Sequence, residues 1–159
     1  MKSFTLTLVA MTLMTLMLTV TLTQAQDSAQ CEGNGFSLSN LYTAFQSSGN
    51  KYMSASLPSG GSLVYAPCQA VPYSTCPRGT MVGQVSSDGS SCTNAGSGTP
   101  SWLFNPSGFT VKWGGANGDV TFIQFHCNAT AGLGELKYAS ANPVGPGAVL
   151  DWSSQYVCA

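Results

Sequence analysis

The segment VTFIQFHC, residues 120–127, has the clearest β-strand pattern in this chain of 159 residues. Successive side chains of a strand point to opposite faces of a sheet. Here one face carries Thr121, Ile123, Phe125 and Cys127, and the other carries Val120, Phe122, Gln124 and His126. Because both faces are largely apolar, the pattern predicts a central strand that is covered on its two sides.

Other segments around this strand also favour β structure. The preceding FTVKW, residues 109–113, alternates in the same way, and the turn-forming GGANGD, residues 114–119, predicts a hairpin between the two. Weaker patterns predict strands at residues 63–65, 81–85 and 148–152, whereas apolar residues at helical spacing in 38–45 predict a short helix or turn. The Gly/Ser-rich stretches 54–62 and 86–98 are interpreted as long surface loops.

Six cysteines follow an apolar N-terminal run and none lies inside it. An even number of cysteines downstream of an export signal is typical of disulfides in an oxidising compartment. The sequence therefore predicts three bridges, but six cysteines alone allow fifteen pairings.

The N-terminal run itself has the organisation of a secretory signal peptide. Lys2 supplies the positive charge, an uncharged apolar stretch follows, and small residues precede a cleavage site after Ala25. We expect residues 1–25 to be a signal peptide and residues 26–159 to be a single domain, either secreted or in the lumen of the secretory or endolysosomal system. The alternative is that Phe4 to Leu22 remains as a membrane anchor; no later segment is apolar enough to span a bilayer.

Charged residues make up only 7% of the chain, and its formal net charge is −1. Proteins that bind nucleic-acid backbones or anionic membrane surfaces need a cluster of basic residues. The composition therefore argues against both classes of partner.

The cysteine-containing segments also occur in an informative order. CEGNGFSLSNL (31–41), LVYAPC (63–68) and CPRGTMVGQV (76–85) are followed by GTPSW (98–102), GFTVKWGG (108–115), the strand 120–127 and LDWSSQYVC (150–158). In this order they resemble the mannose 6-phosphate receptor homology domain, particularly the repeats of the cation-independent receptor. The resemblance extends from Cys31 to Cys158.

The resemblance implies an all-β fold, a flattened β-barrel of two crossed antiparallel sheets with a short N-terminal helix or turn. It also implies the disulfides Cys31–Cys68, Cys76–Cys92 and Cys127–Cys158. A further bridge that is common in the family is missing both of its cysteines here, so the remaining six still pair completely.

Sugar-binding members of the family hold a mannose ring with a Gln, an Arg, a Glu and a Tyr. The resemblance places the glutamine at Gln84, but Asp119, Tyr138 and Ala148 stand at or near the positions of the arginine, glutamate and tyrosine, although a shifted alignment could recruit Glu135 and Tyr138. Without the bidentate guanidinium, and with an acid in its place, tight binding of mannose 6-phosphate is not expected. Gln84 remains the candidate carbohydrate-binding residue; the alternative is a strand residue whose amide is satisfied by neighbouring backbone.

Other candidate sites are weaker. His126 is the single histidine and is interpreted as structural, because no partner for a metal site or a proton shuttle accompanies it. The chain contains no recognisable catalytic motif, and neither enzyme activity nor a metal or cofactor is expected.

Asn128-Ala-Thr130 is a glycosylation sequon. The three tryptophans, Trp102, Trp113 and Trp152, could stack on sugars but are more typical of a core.

Three functions follow from these observations. The first is a lectin-like module that binds a neutral glycan or a glycoprotein around Gln84. The second is a protein-interaction, cargo or extracellular-matrix protein of the same fold. The third is a hydrolase of unrecognised type, whose activity would depend on His126 or Asp119; Asp119 and Glu135 are a conceivable pair of acids, but nothing in the sequence determines their distance.

Overall fold

The computed structural model describes residues 30–158 and is mostly β. The expected signal peptide and the alternative anchor, Phe4 to Leu22, lie outside these residues. In order, the elements are β1 (Glu32–Gly33), β2 (Phe36–Ser37), α1 (Ser39–Ser47), β3 (Met53–Ser56), β4 (Ser62–Tyr65), β5 (Thr80–Val85), β6 (Cys92–Asn105), β7 (Gly108–Gly114), β8 (Val120–Cys127), β9 (Glu135–Ala141) and β10 (Gly147–Ser154). Within the described part of the chain, no helix is long and apolar enough to cross a membrane.

Eight strands form one sheet that curls into a nearly closed barrel, in the order β3-β4-β5-β6-β7-β8-β10-β9. Strand β6 pairs with β5 through its first half and with β7 through its second half, and the register shifts between Ser97 and Ser101. The two halves of the barrel are therefore joined through β6. Strands β3 and β9, at the two ends of the order, lie against each other and bring the barrel close to closure.

The central position predicted for β8 is confirmed. It pairs antiparallel with β7 on one side and parallel with β10 on the other. Thr121, Ile123 and Phe125 are buried, whereas the alternate residues from Val120 to His126 are only partly buried. The parallel pair departs from a purely antiparallel arrangement, because β9 lies outside β10 and the chain crosses over from β8 before it returns.

The barrel interior is built around aromatic side chains. Tyr65 is fully buried, and its ring contacts Trp113, Phe125 and Trp152 with centroid distances of 5.4, 6.4 and 5.9 Å. Trp102 is also buried and packs against Phe109. The three tryptophans therefore belong to the core and do not offer a face for stacking on a sugar.

Three disulfides join Cys31 to Cys68, Cys76 to Cys92 and Cys127 to Cys158, which is the pairing that the resemblance implies. They close sequence separations of 37, 16 and 31 residues. In the chain-entropy view, loops of this length contribute about 3 to 4 kcal/mol each to the free energy of unfolding. We therefore expect the fold to depend on oxidation.

The two Gly/Ser-rich stretches are loops only at residues 57–61 and 86–91, and the sequence interpretation is wrong for the residues that form strands. Residues 54–62 contain most of β3 and a tight turn, and residues 92–98 of the second stretch belong to β6. Strand β9 was not predicted either. Gly96 shows why a high glycine content does not always indicate a loop. A Cβ at this position would lie 2.8 Å from Cβ of Trp113, so the glycine allows close packing within a strand.

Strand β5 is buried on both faces by two different layers. Leu63, Tyr65 and Val82 pack into the barrel interior, whereas Val64 and Val85 belong to a second cluster beneath α1. Gly83 pairs with Val64 on this outer side. A Cβ at Gly83 would lie 2.7 Å from Sγ of Cys76 and 2.8 Å from Sγ of Cys92, so the disulfide occupies the space of a side chain.

This contact makes Gly83 sensitive to substitution. We expect Gly83→Ala to lower the free energy of unfolding by about 1–3 kcal/mol, because a covalently held disulfide cannot move aside as a flexible side chain would. Gly114→Ala is the control, because a Cβ there meets nothing within 4 Å. Denaturant unfolding of both variants under non-reducing conditions measures the difference, and equal midpoints would contradict this account of β5.

Candidate functional site

A cavity of about 250 Å³ opens at the end of the barrel where β8 and β10 begin. The turn between β3 and β4 forms part of its rim through Leu57, Pro58 and Ser59. Its wall includes residues from β4, β5, β6, β8, β9 and β10, so it is assembled from segments far apart in the sequence. We refer to this cavity as the mouth pocket.

Gln84 lies in the wall of the mouth pocket, and the register of β5 places it there. It pairs with Leu63, an interior residue that also lines the pocket, while Gly83 faces the Cys76–Cys92 bridge on the other side of the strand. The Gln84 side chain makes no hydrogen bond to any residue of the described range 30–158, so neighbouring backbone does not satisfy its amide. Its donors and acceptor remain available at the pocket.

Asp119, Tyr138 and Ala148 also line the mouth pocket. They stand at or near the positions at which the resemblance places the arginine, glutamate and tyrosine of a sugar-binding site. Four positions predicted to act together therefore meet in one cavity, although three of them carry different side chains. Tyr138 contributes a half-buried phenol, whereas Ala148 contributes no polar group.

Two backbone hydrogen bonds hold the turn that ends at Asp119. Its N–H donates to the carbonyl of Ala116 at 3.1 Å, and its own carbonyl accepts from the N–H of Gly115 at 2.8 Å. Asn117, inside this turn, has a φ of 59°, a left-handed conformation that Asn tolerates better than most residues. The turn thus holds Asp119 at the start of β8, beside the pocket.

The floor of the pocket is mainly apolar and its polar atoms are already paired. Thr121 is buried, and its hydroxyl donates to the carbonyl of Ala95 at 2.7 Å. Leu63, Ala95 and Ala148 add apolar side chains to the lining of the pocket. The groups left for a ligand are therefore those of the wall.

Of the residues that the structure describes, Asp119 is the one charged residue in the wall, and Arg78 lies in the segment before β5, outside the lining. Glu135 is not part of the pocket either. It lies in a separate groove on the outer surface and forms an exposed ion pair with Lys137 at 3.2 Å. Only Tyr138 of the two residues considered for a shifted alignment reaches the mouth pocket.

His126 lies at the far end of β8 from Asp119. Seven residues at a rise of about 3.3 Å per residue separate them by roughly 20 Å. The set His126, Asp119 and Glu135 considered for a hydrolase is therefore not assembled in the part of the chain that the structure describes.

His126 nevertheless has polar partners that the sequence did not indicate. Its Nδ1 lies 2.8 Å from the Ser107 hydroxyl, and its Nε2 lies 3.3 Å from Oδ1 of Asp151. Asn105 also accepts a hydrogen bond from the Ser107 hydroxyl at 3.0 Å. This chain of bonds links the β6–β7 hairpin to β8 and β10 on the outer surface, in agreement with a structural role for the histidine.

The sequon at Asn128 lies in an exposed turn directly after β8. Oδ1 of Asn128 accepts hydrogen bonds from the backbone N–H and the hydroxyl of Thr130, at 3.2 and 2.9 Å. The carbonyl of Asn128 accepts from Ala131 and closes the turn. Within residues 30–158, no group of three or more His, Cys, Asp and Glu residues is arranged to hold a metal ion.

No family model and no curated protein matches the sequence. Solved structures do resemble it. Domain 11 of the echidna mannose 6-phosphate/IGF2R receptor has 17% identity, covers 84% of this chain and 96% of that chain, and has a TM-score of 0.60. Chicken IGF2R domain 11 has 14% identity, with coverage of 69% and 78% and a TM-score of 0.55. The chain therefore has the fold of a mannose 6-phosphate receptor homology domain, as expected from its segments.

The exposed turn leads to a prediction about modification. We expect secreted material from a eukaryotic host to carry an N-linked glycan on Asn128, because the sequon is accessible and Nδ2 is the amide atom not tied to Thr130. Treatment with an N-glycosidase should lower the mass of the wild type, whereas Asn128→Gln and Thr130→Ala should be insensitive. Thr130→Ser, which keeps the sequon, is the control, and an unmodified wild type would refute the expectation.

Proposed function

We propose that this chain, a β-barrel with the receptor-domain fold, is a secreted or luminal lectin-like module that binds one terminal unphosphorylated hexose in the mouth pocket. The observation that carries the proposal is the meeting of Gln84, Asp119 and Tyr138 around one cavity of about 250 Å³. None of these three side chains has a hydrogen-bond partner among residues 30–158. They supply an amide, a carboxylate and a phenol to a ligand.

The chemistry of the pocket fits a sugar ring. A pyranose presents several hydroxyl groups that both donate and accept hydrogen bonds, and it needs a small set of polar groups on an otherwise apolar surface. Gln84 can donate and accept, Asp119 accepts, and Tyr138 can do either. Leu57 and Leu63 provide apolar contact for the ring carbons.

A phosphorylated sugar fits less well. Phosphate recognition depends on basic side chains or clustered backbone donors, and the wall carries Asp119 where the family carries an arginine. A carboxylate at that place repels a phosphate. The proposed ligand is therefore an unphosphorylated sugar on a glycan or glycoprotein.

Binding is favoured over catalysis. Among residues 30–158, the pocket lining contains no His, Cys or Lys that could activate a nucleophile or transfer a proton at neutral pH. Asp119 is the one acidic group that these described residues bring to the lining, whereas glycoside hydrolysis commonly uses a pair of carboxyl groups. The three disulfides suit an oxidising compartment, which agrees with a secreted or luminal site of action.

A second candidate, a protein-interaction module of the same fold, is favoured by one observation. Phe104, at the tip of the β6–β7 hairpin, is 77% exposed and lies against Phe36 with a centroid distance of 6.5 Å. This tip is at the end of β8 opposite the mouth pocket. A protein partner at the tip would bind independently of Gln84.

The lectin proposal is tested by glycan-array binding of the chain without its expected signal peptide, followed by titration of the best glycan. We expect Gln84→Ala to weaken binding at least tenfold, because the sugar hydroxyls lose both a donor and an acceptor. Gln124→Ala is the matched control: Gln124 lies on β8 on the side away from the buried face and outside the pocket lining.

Two results would count against the lectin. One is an array without signal at high protein loading, and the other is equal affinity of the two glutamine variants. If a protein ligand is found whose binding survives Gln84→Ala but is lost in Phe104→Ser, the second candidate replaces the first.

A further inference from the structure

We propose that the mouth pocket prefers sugars with a free amino group, and that Asp119 binds the positive charge of that group. The inference rests on the proposed function and names the ligand class of the same site. Asp119 differs from the other acidic side chains of the described chain in its lack of a partner.

Five carboxylates lie within residues 30–158, and four of them have side-chain partners. Glu32 accepts from the hydroxyls of Ser37 and Ser39. Glu135 pairs with Lys137, and Asp151 faces His126. The hydroxyls of Ser86 and Ser90 bond Asp88, and these hydrogen bonds, with that from the Ser90 backbone, lower its pKa to about 2.

Asp119 is the exception among these five. Its carboxylate makes no hydrogen bond and no ion pair with any residue of the described range, although the residue is half-buried in a concave wall. A partly desolvated charge without a partner is unfavourable. Because Asp119 lines a cavity, its carboxylate is available to a ligand that supplies the opposite charge.

The residues that line the pocket around Asp119 favour a positively charged ligand group. No Lys, Arg or His of residues 30–158 lines the pocket, so a bound ammonium meets no like charge from the described part of the chain. The phenol ring of Tyr138 adds a surface that attracts cations. Gln84 remains free to bond the ring hydroxyls, so the amino group and the hydroxyls of one hexosamine can be satisfied by different residues.

The expected preference is modest because the pocket is open to water. Charge-assisted hydrogen bonds are stronger than neutral ones, but partial exposure reduces the gain. We expect a hexosamine to bind about tenfold more tightly than the same hexose at low ionic strength. The preference should shrink as salt is added, because salt screens charges that are not fully buried.

The test compares methyl glycosides that differ at one group: the 2-hydroxyl sugar, the 2-amino sugar, the 2-acetamido sugar and the sugar 6-phosphate. Each is titrated in the gluco, galacto and manno configurations. We expect the amino sugar to bind most tightly in the preferred configuration and the 6-phosphate most weakly. Acetylation removes the charge, so the acetamido sugar should lose the preference.

Two variants test whether Asp119 causes the preference for the amino sugar. Asp119→Asn keeps the size and hydrogen-bonding capacity of the side chain and removes its charge, so it should bind the amino sugar and the neutral sugar equally. Glu135→Gln is the matched control, because it removes one negative charge from the outer groove. We expect Glu135→Gln to retain the tenfold preference, and denaturation midpoints check that both variants are folded.

The outcomes separate this inference from the function on which it rests. If the wild type binds amino and neutral sugars equally and loses both in Gln84→Ala, the inference fails and the lectin stands. If no glycoside binds, both fail. A preference that survives Asp119→Asn, or a lysine-containing peptide that binds more tightly than every sugar, also overturns it.

Discussion

Contact between the Cys76–Cys92 disulfide and Gly83 is the constraint on which the site depends. The two sulfur atoms occupy the outer side of β5, where a side chain would otherwise lie. Because side chains alternate along a strand, this assigns Val82 to the interior and Gln84 to the mouth pocket. A covalent bridge on one face of the strand thus determines which chemical group is presented on the other face.

The mouth pocket brings together positions that the family resemblance associates with a sugar site, but three of the four carry different side chains. Gln84, Asp119, Tyr138 and Ala148 meet because the sheet register brings β5, β9, β10 and the start of β8 together. That register is maintained by backbone pairing and by burial of the interior residues, and neither depends on which polar groups line the mouth. A barrel can therefore keep its architecture while an acid, Asp119, lies at or near the position where the family resemblance places an arginine, and the wall then carries a negative charge.

The two ends of the barrel differ in character. At the mouth, Gln84, Asp119 and Tyr138 line a small cavity and have no side-chain hydrogen-bond partner in the described range 30–158. The opposite end carries stacked phenylalanines and the hydrogen-bonded chain through His126. Ser107, His126 and Asp151 tie the β6–β7 hairpin to the sheet and so hold the base of the loop that exposes Phe104. Strand β8 connects these regions, and its buried face, with Ile123 and Phe125, is continuous with the aromatic core.

The sequence by itself determined the strand at residues 120–127, its hairpin with the preceding strand and the helix near residue 40. These elements carry apolar side chains at a regular period, and periodicity is a local property. The order of the cysteine-containing segments also implied the disulfide pairing and the candidate Gln84. Tertiary structure alone decided that β3 and β6 run through Gly/Ser-rich stretches and that β8 and β10 are parallel. It also decided that Tyr138, and not Glu135, lines the cavity that the resemblance associates with Gln84 and Asp119. Strands poor in apolar residues are stabilised by pairing with their neighbours, and pocket residues on different strands meet only through the register of the whole sheet. Neither strand pairing nor sheet register leaves a pattern within a single segment of the sequence.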